Sequence, residues 1–315
     1  MPTMFKAFLK LALIGAFSIQ IAVFLSKKWW FFELFSHYSH YYAAIALIFT
    51  GIHLVQKNFV GALLWVSLLS INGSSFAPYL QASKSMTNET DSSVNELSLN
   101  IYAQNAYYLN MDTSEFYEEV LVLQPDLFIV HEAHAGWGST QNEVLTDYPY
   151  TKLTEETGVH GIFMGSQIPG QFTEIPLGEE VGLEFIPLDN SYKILAVHPQ
   201  APVKQKWASE RNEQFADIIT YVQNSSVPVV VIGDFNCTPW SPYFVDLLEQ
   251  TALKDARLLD PNPGLDFTWN ASSFLFQLPI DHALVSKEWE VLNFETRPTQ
   301  NSDHKGIWTK LNLEN

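Results

Sequence analysis

Three apolar runs open the chain. Met4–Leu25 is interrupted only by Lys6, Lys10 and Gln20, and a second run covers about Tyr41–Val55. A third extends from Phe59 to about Ile71, then weakens through Asn72-Gly73-Ser74-Ser75 before Phe76–Leu80. A bilayer core needs roughly 20 mostly apolar residues in a helix, and the first run supplies them. Lys27, Lys28, Trp29 and Trp30 follow it directly, as basic and aromatic side chains do at a membrane interface. Residues 1–82 are therefore expected to form a membrane anchor of about three transmembrane helices. The second and third runs are short for full spans, so a buried helical hairpin is the alternative for them. A cleaved signal peptide would leave a small-residue cleavage site after the first run, and none is evident. With three spans, Lys6, Lys10 and Lys57 fall on one side and Lys27, Lys28 and Lys84 on the other. The positive-inside count is tied, and the two lysines beside the first span tip it toward an outward-facing carboxy-terminal domain.

The pattern changes after the anchor. Residues 83–96, beginning Ser83-Lys84-Ser85-Met86-Thr87-Asn88, have few apolar side chains and read as a linker. From residue 97 to 315, short apolar segments repeatedly end in polar residues. Leu97–Tyr102 reads as a strand containing Asn100, and Ser114–Leu123 as an amphipathic helix with Phe116, Val120 and Leu123 at helical spacing. Leu127–Val130 is a buried strand ending at His131-Glu132, and Ile194–Val197 a strand ending at His198-Pro199. Glu210–Val222 reads as a helix, and Val227–Ile232 is a continuous apolar strand that stops at Gly233-Asp234-Phe235-Asn236. Leu278–Ile280 leads into Asp281-His282, and Asn301-Ser302-Asp303-His304 precedes a last strand at Ile307–Leu311. Strands alternating with a few helices predict an α/β domain with helices flanking packed sheets.

Charge divides the chain at the same place. Of 17 basic and 34 acidic residues, five and one lie in the first 82, leaving 12 and 33 behind them, a net −21. Proteins that grip long nucleic acids draw affinity from a basic surface, so this balance disfavours a polyanionic partner. The single cysteine, Cys237, excludes an internal disulfide and a multi-cysteine metal site. Asn, Glu, Asp and His at several strand ends are the inventory of hard-cation binding and acid–base chemistry, although each alone is as readily a turn former or a structural carboxylate.

Taken in order, Leu99-Asn100-Ile101 with Asn105 beyond it, Gln124-Pro125-Asp126 leading to His131-Glu132, Val197-His198-Pro199, Gly233-Asp234-Phe235-Asn236, Ile280-Asp281-His282 and Ser302-Asp303-His304 form a pattern. It resembles the endonuclease/exonuclease/phosphatase superfamily, and in detail a bacterial subgroup with amino-terminal membrane spans. The resemblance runs from about Glu96 to Leu313. It implies a four-layer α/β/β/α sandwich and hydrolysis of a phosphodiester or phosphomonoester with Mg2+ or Mn2+. It further implies that Glu132 is the principal metal ligand, with Asn100 beside it and Asp303 assisting. Asp234 and Asn236 would orient the attacking water and a phosphate oxygen, His304 would pair with Asp281, and His198 would help protonate the leaving group. His131 stands where many relatives carry Gln, and Ser166-Gln167-Ile168-Pro169 lacks an arginine common in that segment. The expected partners are a phosphoester substrate, lipid-borne among the options, and the membrane. A nuclease of the same fold and a catalytically silent tethered binding module are the competing readings.

Overall fold

The computed structural model describes residues 3–81, 97–138, 143–262, 264–273 and 275–314. The expected linker at 83–96 lies outside the described residues. The apolar runs at the front are helices: α1 (Thr3–Phe24), α3 (Ser39–Val55) and α4 (Phe59–Phe76), with a short α2 (Trp30–Ser36) between the first two. The Asn-Gly-Ser-Ser stretch does not break α4, and Asn72 explains why its polarity is tolerated. Its amide donates to Leu68 O one turn back and to Gln20 Oε1 on α1. Two of these helices are long and apolar enough to cross a membrane, Thr3–Phe24 and the continuous Phe59–Leu80, while Ser39–Val55 is shorter. Of the about three transmembrane helices expected, two are long and apolar enough, and α3 is a shorter companion packed on Trp65 and Leu68 of α4.

Among the described residues twelve strands form two six-stranded sheets. One contains β1 (Leu97–Asn105), β2 (Leu127–His131), β3 (Tyr150–Leu153), β4 (Ile162–Ser166), β11 (Trp289–Arg297) and β12 (Gly306–Leu313), in the order β11-β12-β1-β2-β4-β3. The other contains β5 (Gly170–Leu177), β6 (Glu180–Pro187), β7 (Lys193–Val197), β8 (Val229–Asp234), β9 (Lys254–Asp255) and β10 (Asp281–Val285), in the order β5-β6-β7-β8-β10-β9. The central strand of each sheet is buried on both faces, and side chains alternate between them. Leu99, Ile101, Ala103, Ile129, Ile194, Ala196, Val230 and Ile232 meet between the sheets. Tyr102, Phe128 and Val130 instead face α5 (Ser114–Leu123). Leu195, Val229 and Val231 pack outward against α6 (Gln205–Gln223) and α7 (Pro242–Thr251). The result is helix, sheet, sheet and helix in layers.

The front helices are fastened to this sandwich through α2. Glu33, wholly buried, accepts from Arg211 Nη2 at 2.6 and 2.7 Å and from Ser241 Oγ at 3.0 Å. His37 Nδ1 lies 2.9 Å from Thr238 Oγ1, and Trp240 Nε1 donates to the His37 carbonyl at 3.1 Å. His40 packs on the rings of Trp240 and Phe267. Burial lowers the His37 pKa to about 4, so this ring docks neutral.

Candidate active site

The period of two that builds the core also builds the cleft. Extending the inward-facing positions to the strand ends places Asn105 after Leu99, Ile101 and Ala103, His131 after Ile129, and His198 after Ile194 and Ala196. Asp234 follows Val230 and Ile232, and Asp281 precedes Ala283. Five polar residues therefore project from the ends of β1, β2, β7, β8 and β10 into the gap between the sheets.

Asn105 is the hub. Its Nδ2 donates to Glu132 Oε1 and Asp234 Oδ2, each at 3.0 Å, while its Oδ1 accepts from Tyr107 N. Glu132 Oε2 accepts from the Tyr108 backbone N–H at 2.8 Å. Asp234 Oδ1 accepts from the Asn236 N–H at 2.8 Å, and Asn236 Nδ2 donates to the Pro199 carbonyl. Glu132 and Asn236 both have left-handed backbone, with φ of 60° and 50°, a conformation tolerated where surrounding contacts hold it. Gly233 has φ of 149°, and a Cβ there would sit 2.1 Å from Val197 O and 2.6 Å from His131 Nε2. Only glycine lets β8 pass that close before delivering Asp234.

His304 Nδ1 is 2.9 Å from Asp281 Oδ2, and its Nε2 is 3.5 Å from Asp234 Oδ2. Its backbone N–H donates to Ser302 Oγ, which itself donates to Asn105 O. Burial opposes a charge on this ring, but Asp281 and Asp234 raise the His304 pKa to about 10. Burial also disfavours charge on Asp234, yet His304, His198 and the Asn236 N–H hold its carboxyl below the usual range. Asp281 is raised, by burial first and by Asp234 repulsion, against the pull of His304. The cluster is best described as an imidazolium between two carboxylates. His198 donates from Nδ1 to Val159 O at 3.0 Å, which turns Nε2 toward Asp234 at 3.5 Å. Burial lowers its pKa, but the bond to Asp234 outweighs this and the net shift is upward.

One expected residue is not in the cleft. Asn100 lies one position out of phase with Leu99 and Ile101, in the middle of β1 and five residues before Asn105, paired across the sheet with Lys310. Its side chain donates to Asp126 Oδ2, a structural bond at the entry to β2. Asn105, quoted in the same motif, takes the position beside Glu132. Asp303 is exposed at the rim, accepting from Trp269 Nε1 at 3.1 Å. His131 is fully buried with neither ring nitrogen hydrogen-bonded, and burial, then His198, lowers its pKa to about 3. It is a neutral wedge against Gly233.

The cleft, about 500 Å³, is lined by Glu132, Asp234, Asn236, Asp303 and His304 together with apolar groups. Among the described residues no Lys or Arg lines it. Incoming phosphate would meet unbalanced negative charge, so a divalent cation fits this oxygen-rich donor set. Asp234, Asp281 and His304 each bring a donor atom within 4.8 Å of the others, a group that could hold a cation, and Glu132 and Asp303 line the same cleft.

A family model described as the Endonuclease/Exonuclease/phosphatase family matches residues 88–304. Among curated proteins no relative matches. Solved structures share the fold at low identity. An endonuclease/exonuclease/phosphatase from Beutenbergia cavernae DSM 12333 is 20% identical, with a TM-score of 0.55 over 69% of this chain and 72% of that one. A family protein from Bacteroides thetaiotaomicron is 16% identical, with a TM-score of 0.56 over 70% and 100%. The 3′ phosphatase NExo from Neisseria, bound to product DNA hairpin, is 14% identical, with a TM-score of 0.55 over 67% and 98%.

Proposed function

The chain belongs to the endonuclease/exonuclease/phosphatase family, and from that premise we propose that it is a membrane-anchored, divalent-cation-dependent phosphoesterase. The observation that carries the reading is the Asp281–His304–Asp234 chain beside Glu132, an acid–base and anion-binding set in a cleft that no described Lys or Arg lines. Hydrolysis joins a water oxygen to phosphorus and breaks the bond from phosphorus to the ester oxygen. One water proton ends on the leaving oxygen. Asp234, ionised, is the acceptor that orients the water and draws on its proton. His304, held cationic by Asp281, offers a charged N–H to a non-bridging phosphate oxygen. Asn236 offers a second, neutral donor. His198, with Nδ1 fixed by Val159 O, supplies the proton to the leaving oxygen from Nε2. A Mg2+ or Mn2+ ion held by Glu132 and Asp303 would supply Lewis-acid neutralisation of charge on the phosphate.

Membrane anchoring is supported by the outward faces of the front helices. Phe8, Leu11, Ile14, Ile21 and Phe24 on α1, Leu47, Ile48 and Val55 on α3, and Val60 and Leu63 on α4 are all exposed. Apolar surface on this scale marks a lipid or protein contact, and its presence on all three helices favours three crossings. Three crossings set Lys6 and Lys10 opposite the hydrolase, which then faces outward by the positive-inside rule. A nuclease reading draws on the fold shared with the DNA-bound Neisseria protein, but a domain at −21 repels a long polyanion.

The test is the kinetics of Asp281→Asn and His304→Ala in the full chain. Each is expected to lower kcat by a hundredfold or more, as general acid–base groups typically contribute. Unchanged kcat in either variant would remove the proposed pair from the chemistry.

A further inference from the structure

The anchor supplies part of the wall of the catalytic cleft. Leu34 of α2, with His37 and Tyr38 just after it, lines the same cavity as Glu132, Asp234 and His304. Across from them stand Val203, Leu278 and Ile280. This wall is fixed, because α2 is held by the Glu33–Arg211 pair and the His37–Thr238 contact. The cleft therefore pairs a charged floor with an apolar wall, a poor match for a sugar–phosphate polymer and a good one for a single phosphate on an apolar body.

The mouth repeats the pattern. Tyr107 and Tyr108 line the cleft and run into Leu109 and Met111, which are 58% and 72% exposed. Val203 is 53% and Phe276 58% exposed, and Phe276 packs on Tyr38 and Tyr41 of the anchor. Exposed apolar residues gathered at a binding cleft mark an interaction surface. Their location names the occupant. The last turn of α1 leads to the interfacial Lys27, Lys28, Trp29 and Trp30, α3 begins with His40 against Trp240, and α4 ends with Phe76 against that same tryptophan. The start of α3 and the end of α4 thus meet at Trp240, which bonds to the cleft-lining His37, so a bilayer surface would lie beside the cleft.

We propose that the substrate is a phosphoester carried by a membrane lipid, with its phosphate over Glu132 and His304 and its apolar part against Leu34, Tyr38 and Val203. The inference rests on the phosphoesterase reading and specifies its substrate class. Water attacks the lipid phosphate, the phosphorus–oxygen ester bond breaks, and the leaving oxygen takes the proton.

The experiment uses the full chain in detergent micelles. It compares kcat/KM for soluble glycerophosphoglycerol, dihexanoyl-phosphatidylglycerol and dioleoyl-phosphatidylglycerol, the corresponding ethanolamine and monoester phosphatidate series, and a single-stranded oligonucleotide. The acylated members are expected to exceed their soluble headgroups by tenfold or more. In Leu34→Ser and in the rim variant Val203→Asp, which leaves the α2 contacts untouched, that ratio should fall at least threefold. Metal-dependent cleavage of soluble esters or oligonucleotide without lipid preference would overturn the inference and leave the phosphoesterase standing. An acyl preference unaffected by either variant would overturn the assigned wall. No turnover of any panel member by folded protein would reject both readings.

Discussion

Replacing Glu33 by Gln removes one charge from a buried pair without removing volume. Glu33 and Arg211 are 1% and 0% exposed as side chains, joined by contacts of 2.6 and 2.7 Å. Two unit charges about 4 Å apart attract by about 4 kcal/mol at an effective dielectric of 20, and most of that offsets the cost of removing them from water. Breaking one partner leaves the other uncompensated, and typically destabilises by about 3–5 kcal/mol. Arg211 retains Asn212 Oδ1 at 3.0 Å, the weak acceptor Cys237 Sγ at 3.5 Å, and the faces of Phe215 and Tyr243. None of these carries a compensating charge. For a domain of this size, about 2–4 °C of melting temperature accompanies each kcal/mol, so Glu33→Gln should lower Tm by roughly 6–20 °C. The assay is thermal unfolding of the full chain in detergent, with hydrogen exchange of the α2 amides as the local readout. The double variant Glu33→Leu with Arg211→Met should recover much of the loss, because paired removal leaves no orphan charge. A Tm shift below about 2 °C, or a double variant no better than the single, would refute the reasoning.

Two further outcomes follow from local geometry. Gly233→Ala puts a methyl 2.1 Å from Val197 O at φ of 149°, so it should displace Asp234 and cost at least tenfold in kcat/KM, measured alongside circular dichroism to verify folding. His37 has a folded pKa of about 4 against 6.5 unfolded, so between those values the unfolded chain binds the extra proton. Its contribution is complete above pH 6.5 and lost as pH falls toward 4, by up to about 3 kcal/mol. Tm of the wild type should therefore drop more over pH 7 to 4.5 than Tm of His37→Gln, and parallel curves would contradict the assignment.

The motif order in the sequence leads to the family and to the strand ends, because apolar runs of β-branched residues and their polar termini are local signals. Asp234, His198, Asp281 and His304 share one cleft for that reason. Asn100 departs from that expectation for an equally local reason: which of two asparagines faces the cleft depends on the phase of a period-two strand and on where it ends, and β1 runs past the Leu97–Tyr102 segment to Asn105. Strands β3 and β5 are hard to read because their mixed, half-exposed patterns resemble loops. Least legible was the docking of α2. Glu33 is the lone acid in the first 82 residues, a visible oddity, but its partner Arg211 stands 178 residues away. Nothing in either segment specifies that pairing; only the folded packing does. Ser302, which ties Asn105 to His304, is likewise unremarkable until those residues meet.

The most direct test of the central claim is hydrolysis by the full chain with Mg2+ or Mn2+, with excess chelator, and in Glu132→Gln. Glu132 accepts from Asn105 and from the Tyr108 N–H, and Gln preserves the shape while removing the charge that would hold a cation. The account predicts turnover that chelator abolishes, that added metal restores, and that Glu132→Gln lowers by a hundredfold or more with the fold retained. Turnover indifferent to chelator, or unchanged in Glu132→Gln, would contradict it.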